Sequence, residues 1–473
     1  MLDLPHPGPR LSGRRHGGWA LEARELLRLG IPLAATQLAQ MIILATDTAM
    51  LGHYSKDALA AAALGNTIYF LAWLLGSGLP FAVSPVIAHI QGEHATSTRP
   101  RDRRPVRAAV RMGLWSVAIA TPPLWLFLLF TRDILLALGE DPRLAAGAAI
   151  FTSAILAGLP FALGFQVLRS FSTALSRPLP SLVVMVLAIL FNAVGDYGLI
   201  FGHFGLPQLG ILGAGLASAG SNLFSFVVML AIMLTAKGLK EYRILHRLGR
   251  LHAATLAELF RLGLPIGMTM VFEVSLFNGA TLAMGAFGTP SIAAHQIAIT
   301  IPSLTFMVPL GIGLAATVRV GMAAGAGDLK AARRAGFTAI GLGAAFMFMT
   351  AILILSFPRA IASLWLPDVA ANNDVLALAV RFLYVAAAFQ IADGMQVAAS
   401  LSLRGLKDAR MPMWLAGTSY WLAGAPICAL LGFGLHMQGF GIWLGLAFGL
   451  FVAAGLLTTR FVLLSKRPIA MEQ

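Results

Sequence analysis

The chain has 473 residues, of which 58% are hydrophobic and 11% charged, and a formal net charge of +14. A soluble domain carries about 25% charged residues, so a water-soluble fold is excluded and an integral membrane protein is indicated. The surplus Lys and Arg fall in short segments between apolar runs, not on one amphipathic face, which puts them at a membrane surface and excludes a nucleic-acid partner.

In chain order, residues 1–25 are basic, rich in Pro and Gly and without an apolar core. They are expected to be a disordered cytoplasmic tail, with no cleavable signal peptide ahead of the first apolar run. A membrane span needs about 20 largely apolar residues. Twelve such runs follow, at 29–51, 58–90, 107–130, 145–168, 180–202, 211–236, 262–286, 292–324, 335–356, 376–402, 411–433 and 438–462. The second and eighth are long and are expected to tilt, or to bend at Pro80 and Pro309. Residues 237–255, which include the basic stretch "KGLKEYRILHRLGR", read as a cytoplasmic linker in contact with anionic lipid. They separate an N-terminal lobe at 26–236 from a C-terminal lobe at 256–464, and residues 465–473 form a second cytoplasmic tail. Cys428 is the only cysteine, so no intrachain disulfide is possible, and it reads as a buried packing residue.

The distribution of positive charge tests this count. With a cytoplasmic N-terminus, 29 of the 34 Lys and Arg residues lie on the cytoplasmic side, leaving Lys56, Arg132, Arg143, Arg359 and Arg381 on the other. A missed span would scramble that partition. Both termini are therefore expected in the cytoplasm.

The first and seventh runs begin with nearly the same phrase, "LLRLGIP" at 26–32 and "LFRLGLP" at 259–265. At this offset of 233, residues 26–92 align without a gap on 259–325, with 16 of 67 positions identical. The identities include Arg28/Arg261, Gly30/Gly263, Pro32/Pro265, Thr36/Thr269, Thr48/Thr281, Gly52/Gly285, Thr67/Thr300, Gly78/Gly311 and Gly92/Gly325. Each copy opens a six-helix half, and because six is even both halves enter the membrane from one side. The expected fold is all-α, with twelve transmembrane helices in two parallel six-helix lobes around a central cavity. This is a plan suited to alternating access in a secondary transporter.

Ionisable groups inside spans are costly and mark function. Four acids lie in the runs: Asp47 ("LATDTAMLG"), Asp196 ("FNAVGDYG"), Glu273 ("MVFEVSLF") and Asp393 ("FQIADGMQ"). No Lys or Arg lies deep in a span near them in sequence, so each must bind a proton, a metal cation or a cationic ligand. The repeat omits them, since Asp47 aligns with Ala280 and Glu273 with Gln40. Competing readings exist: Asp47 could be a solvated helix end, and Asn192, four residues before Asp196, could make a structural polar clamp with it. Gln390 and Gln396 flank Asp393 on one helix face, a polar stripe expected on a cavity wall. His295 reads as a structural hydrogen-bonding group, and most Met and Phe residues as lipid-facing or core.

At these residues the chain resembles the multidrug and toxic compound extrusion (MATE) family, in its bacterial NorM-like branch. The segments that carry the resemblance are "LGIP" and "TDTAMLG" in the first helix, "FNAVGDYGLIFG" in the fifth and "LGLPIGMTMVFE" in the seventh. "AAHQIAI" and "VRVG" in the eighth and "QIADGMQVAASLSLRGLKDAR" in the tenth complete it. The resemblance implies a monomeric multi-pass protein of the bacterial inner membrane, without an enzymatic cofactor. It implies a multidrug antiporter that expels small organic cations while Na⁺ or H⁺ flows inward, and it leaves the choice of ion open. It assigns Asp47, Asn192 and Asp196 to an N-lobe acidic cluster and Glu273 and Asp393 to a C-lobe site able to hold Na⁺. Gln390, Gln396, Phe389 and Gln40 are the candidates to line the substrate cavity. Phe389 departs from the Tyr often found four residues before the tenth-helix acid, and it keeps a ring face but no hydroxyl. Two other transporter readings are a lipid-linked oligosaccharide flippase, which should place basic residues in its cleft, and a major-facilitator protein, whose basic loop motif is missing from 91–107. A nucleotide-driven pump or metalloprotease is disfavoured, because neither a G-x-x-x-x-G-K-[ST] nor an H-E-x-x-H motif occurs.

Overall fold

Backbone groups in hydrocarbon must be satisfied within the protein, so apolar runs of this length resolve into helices. The computed structural model describes residues 18–97, 102–366 and 372–466. Among these are twelve helices long and apolar enough to cross a membrane and no strand. They are α1 (Trp19–Tyr54), α2 (Lys56–Thr96), α3 (Arg104–Leu129), α4 (Pro142–Ala174), α5 (Leu179–Phe201), α6 (Ile211–Thr235), α7 (Ala253–Gly285), α8 (Thr289–Gly325), α9 (Leu329–Ser356), α10 (Asn373–Gly405), α11 (Arg410–Gly434) and α12 (Gln438–Leu464). Each lobe inserts a short helix after its third span, Thr131–Ala137 and Pro358–Ser363. A 3₁₀ turn at Leu156–Gly158 interrupts α4, and π-helical turns at Thr418–Gly424 and Leu430–Gly434 distort α11.

Several helices run past their expected ends. The first begins at Trp19, inside the stretch read as tail, while the rest of that stretch (1–17) lies outside the described residues, as do 467–473. The expected spans stopped at charged residues, but the helices continue to where those charges find partners. Glu22 is only 6% exposed and takes two hydrogen bonds of 2.8 Å from the Arg319 guanidinium of α8. Likewise α4 continues through Arg169 and α10 through Arg404. The linker is anchored too: Tyr242 and Ile244 are buried, and Arg107 and Arg111 donate to the carbonyls of Tyr242 and Arg247.

The repeated glycines account for how the lobes meet. Gly311 packs against the backbone of Gly30 and Ala34, and its repeat partner Gly78 packs against Gly263 and Gly267. Gly30 faces Ile312 while Gly263 faces Leu79, and Gly92 meets Met322 while Gly325 meets His89. Every one of these pairs maps onto another at the offset of 233, so the seam has approximate two-fold symmetry. A Cβ at Gly78, Gly92, Gly311 or Gly325 would collide with backbone across the seam, which is why glycine recurs there. The repeated threonines satisfy their hydroxyls within their own helices, Thr36 on Pro32 O at 2.7 Å and Thr269 on Pro265 O at 2.8 Å. These contacts fall in the halves of α1, α2, α7 and α8 nearest the face that carries both chain ends, called here the terminal face. Glu22–Arg319 and a bond between His89 Nε2 and Gly405 O at 2.8 Å tie the lobes on the same side.

Candidate functional site

The four intramembrane acids collect into two clusters, one in each lobe. In the N-terminal lobe, Asn192 and Asp196 stand one helical turn apart on α5 and are both fully buried, facing the half-buried Asp47 of α1. Ser218 of α6 donates to Asp47 Oδ2 at 3.0 Å, and the Asp196 and Asn192 side chains lie within hydrogen-bonding range of Asp47. Asp47 Oδ1, both Asp196 oxygens and both polar atoms of Asn192 have no well-directed partner among the described residues. Two carboxyls that face each other are both acceptors when ionised. The arrangement therefore calls for a proton or a cation between them.

In the C-terminal lobe, Glu273 of α7 and Asp393 of α10 lie within electrostatic range of each other. Asp393 is 6% exposed, and its Oδ1 has no partner among the described residues. Two further groups complete the cluster. Gln396, one turn along α10, is within hydrogen-bonding reach of Tyr420 of α11, and both are buried with Gln396 Oε1 and the Tyr420 hydroxyl unpaired among the described residues. The cluster thus offers carboxylate, amide and phenol oxygens, the donor set that suits a hard cation. Among the described residues no three His, Cys, Asp or Glu converge as they would around a transition metal.

Two expectations need correction here. The acids are not all without a basic partner, because Arg404, carried inward by the extension of α10, lies within electrostatic range of Glu273. The other concerns the candidate wall residues. Phe389, Gln390 and Gln396 are buried inside the lobe, so the polar stripe of α10 faces neighbouring helices instead of an open cavity. Gln390 Nε2 donates to Met347 O at 3.2 Å and to Thr350 Oγ1 at 3.0 Å, and the Phe389 ring packs 5.4 Å from that of Trp443. Gln40 is half-buried on α1, two turns from Asp47. His295 is buried, with Nε2 3.0 Å from Thr281 Oγ1 and its ring edge-on to Trp443, as a structural hydrogen-bonding residue would be.

Ser218, Tyr420 and Arg404 escaped the sequence reading. Ser218 opens a small-polar stripe with Ser221, Asn222 and Ser225 at helical spacing, and Tyr420 follows Thr418 and Ser419; neither group holds an ionisable acid or base to draw attention to it. The local cue at Tyr420 is conformational, since it sits in a π-helical turn, a distortion frequent at functional sites. A cavity of about 510 Å³ lies between α2 and α3 of one lobe and α7 of the other. Its walls, including Leu75, Phe127, Phe260 and Met268, are apolar, and none of the four acids lines it.

A family model, MatE, matches residues 32–198 and again 265–430. The chain belongs to the MatE family. The two matches begin 233 residues apart, the offset of the internal repeat, so the MatE unit occurs once in each half and ends before the sixth helix of that half. The relatives are NorM-like. A protein of Mesorhizobium japonicum named "Probable multidrug resistance protein NorM" is 42% identical over 447 residues, covering 94% of each chain. One of the same name from Brucella suis is 43% identical over 444 residues, covering 94% of this chain and 93% of that one. Among solved structures, a eukaryotic MATE transporter superposes with a TM-score of 0.82 at 23% identity, over 94% of this chain and 96% of that one. An outward-facing multidrug resistance MATE family transporter gives 0.80 at 18%, over 94% and 97%. At these identities the structures speak for the fold. With twelve membrane-length helices, this MatE chain is a multi-pass membrane protein.

Proposed function

We propose that the chain is a secondary active multidrug efflux antiporter of the bacterial inner membrane, exporting organic cations in exchange for inward Na⁺ or H⁺. The observation that carries this reading is the gathering of Asp47, Asn192 and Asp196 in one lobe and Glu273 and Asp393 in the other. The glycine contacts between the lobes meanwhile lie in the helix halves nearest the terminal face. The NorM-named relatives support the same reading. With 29 of the 34 Lys and Arg on the terminal side, that face is cytoplasmic, and a seam closed there leaves the clusters to load from outside.

In this mechanism Glu273 and Asp393, with the oxygens of Gln396 and Tyr420, take up the coupling cation, while Asp47 and Asp196 share a proton beside Asn192. Binding neutralises the carboxylates and removes a desolvation penalty of several kcal/mol per ion. That is enough to shift conformers separated by a few kcal/mol and to release a cationic substrate outward. Arg404 counterbalances Glu273 when no cation is present. Of the rival transporter readings, the flippase needs a basic cleft that holds a pyrophosphate. The two arginines that line a common cavity, Arg169 and Arg404, enclose only about 20 Å³, room for one water-sized particle.

Dye efflux from everted vesicles, with Na⁺ and pH gradients imposed separately, tests the proposal. One gradient is expected to drive efflux in wild type and to fail in Asp393→Asn and Glu273→Gln. Wild-type rates in well-expressed variants would overturn the C-lobe assignment.

A further inference from the structure

Each lobe also carries one arginine near the end of its fourth helix. Arg169 follows Leu168 near the end of α4, and Arg404 follows Leu403 near the end of α10, so each is the arginine of a Leu-Arg pair in the fourth helix of its lobe. The approximate two-fold of the seam brings both to one cavity on the lobe interface, which holds about 20 Å³. Arg169 is 2% exposed. Its guanidinium reaches only the side-chain oxygens of Gln37 and Gln166, and the side chain of Arg404, a partly exposed residue, makes no hydrogen bond to a described residue. Ser84, Ser170 and Thr173, which carry hydroxyls, line the same cavity. No carboxylate lines it.

Placing one buried and one partly exposed positive charge side by side between apolar helices is unfavourable unless something neutralises them. Glu273 lies within electrostatic range of Arg404, while Arg169 has amide partners alone, so one positive charge is left over. Guanidinium forks and hydroxyl donors around a space for one small particle are the elements of an anion site. We propose that this cavity binds a single small monovalent anion, chloride in the first instance, which bridges Arg169 of one lobe to Arg404 of the other. A ligand held by both lobes favours the conformation in which they touch, so the anion stabilises closure of the terminal face. A cation taken up by Glu273 withdraws the balancing charge from Arg404 and strengthens anion binding.

The test uses full-length protein in detergent, titrated with chloride while isethionate, too large for the cavity, holds ionic strength constant. Its readout is anion binding and lobe closure, independent of which cation or substrate is transported. Labels placed by Lys237→Cys, exposed where the linker leaves α6, and Lys330→Cys, exposed on α9, report the separation at the terminal face, and the native Cys428 is buried. Chloride at ten times its dissociation constant is expected to raise the closed-to-open ratio about tenfold and to raise the unfolding midpoint saturably. Both responses should vanish in Arg169→Gln and Arg404→Gln. If either of these fails to fold, Arg169→Lys serves, since it keeps the charge but loses the fork and should weaken chloride several-fold. Equal behaviour in chloride and isethionate overturns the site. So does a chloride response that persists in both Gln variants, or an unchanged chloride affinity in Arg169→Lys.

Discussion

In the N-terminal lobe, Asp47 meets Asp196 with Asn192 beside them and a serine donating at 3.0 Å. In the C-terminal lobe, Glu273 and Asp393 lie within electrostatic range of each other near the side-chain oxygens of Gln396 and Tyr420, with Arg404 in electrostatic range of Glu273. Both clusters gather two acids, yet their means of neutralisation differ. Among the described residues the first has no basic partner, and in the proposed mechanism it relieves its charge by sharing a proton or taking up a cation. The second has a guanidinium in electrostatic range and a set of unpaired oxygens, so in the proposed mechanism a mobile cation competes there with Arg404 for Glu273. The difference shows how two copies of one lobe can divide labour: the seam stays symmetric, and the chemistry is written at positions the repeat leaves free.

The largest expected effect comes from removing charge in the oxygen-rich cluster. Asp393→Asn and Glu273→Gln each lose a charged ligand, a loss of about 1.5–3 kcal/mol, and should slow gradient-driven dye efflux by about 10–100-fold. The same amide change at Asp47 or Asp196 should cost less if the remaining partner still carries the proton. Equal losses at all four positions, measured as initial rates at matched expression, would erase the distinction between the lobes.

Next comes the seam, where the one strong asymmetry is Glu22–Arg319, an acid from one lobe and a base from the other. Glu22 is buried and the Arg319 side chain is 17% exposed, so Glu22→Gln strands a partly desolvated guanidinium. The expected cost is about 2 kcal/mol, below the value for a fully buried pair because solvent still reaches Arg319. Thermal unfolding of the purified protein checks it. Glu258→Gln, which breaks the more exposed pair with Lys407 inside one lobe, should cost about 1 kcal/mol or less.

Symmetry itself is testable at the glycines. Gly78→Ala and Gly311→Ala push a methyl into backbone at equivalent points of the two-fold, and each should cost about 1–2 kcal/mol by overpacking. Gly279→Ala meets nothing within 4 Å and should be neutral or slightly stabilising. Unequal costs at Gly78 and Gly311 would show that the seam is less symmetric than the repeat implies.

How much was legible follows from what each feature depends on. The twelve helices were visible because apolar length and positive charge each encode them independently. The repeat was visible because Gly, Pro and Arg recur in register, and its meaning became clear only once the glycines met across the lobes. Asp47, Asp196, Glu273 and Asp393 were visible because a carboxylate in an apolar run is conspicuous. Ser218 was not, since a serine hydroxyl can satisfy itself on its own helix, as that of Thr36 does, and Tyr420 was not, since a tyrosine in an apolar run is an ordinary packing residue. Arg169 and Arg404 were misassigned for a physical reason: an arginine at the end of an apolar run looks like a loop charge, and only helix continuation and packing show that it turns inward. The placement of Phe389 and Gln390 on a wall failed because a helical polar stripe can face a neighbouring helix as readily as a cavity.

The smallest expected effects separate the clusters most cleanly. Ser218→Ala deletes the one well-directed side-chain donor to Asp47 among the described residues, which should cost about 1 kcal/mol of stability and leave the cation affinity of the other lobe unchanged. Tyr420→Phe removes a hydroxyl that has no well-directed partner among the described residues. It should leave stability nearly unaltered, yet it deletes an oxygen from the C-lobe set and should weaken apparent Na⁺ affinity by a few-fold if Na⁺ is the coupling ion. Unfolding midpoints and ion titrations on the two variants give a crossed pattern, with one effect confined to each lobe. If Ser218→Ala moves the Na⁺ titration and Tyr420→Phe does not, the coupling cation binds beside Asp47, and the roles argued for the two clusters must be exchanged.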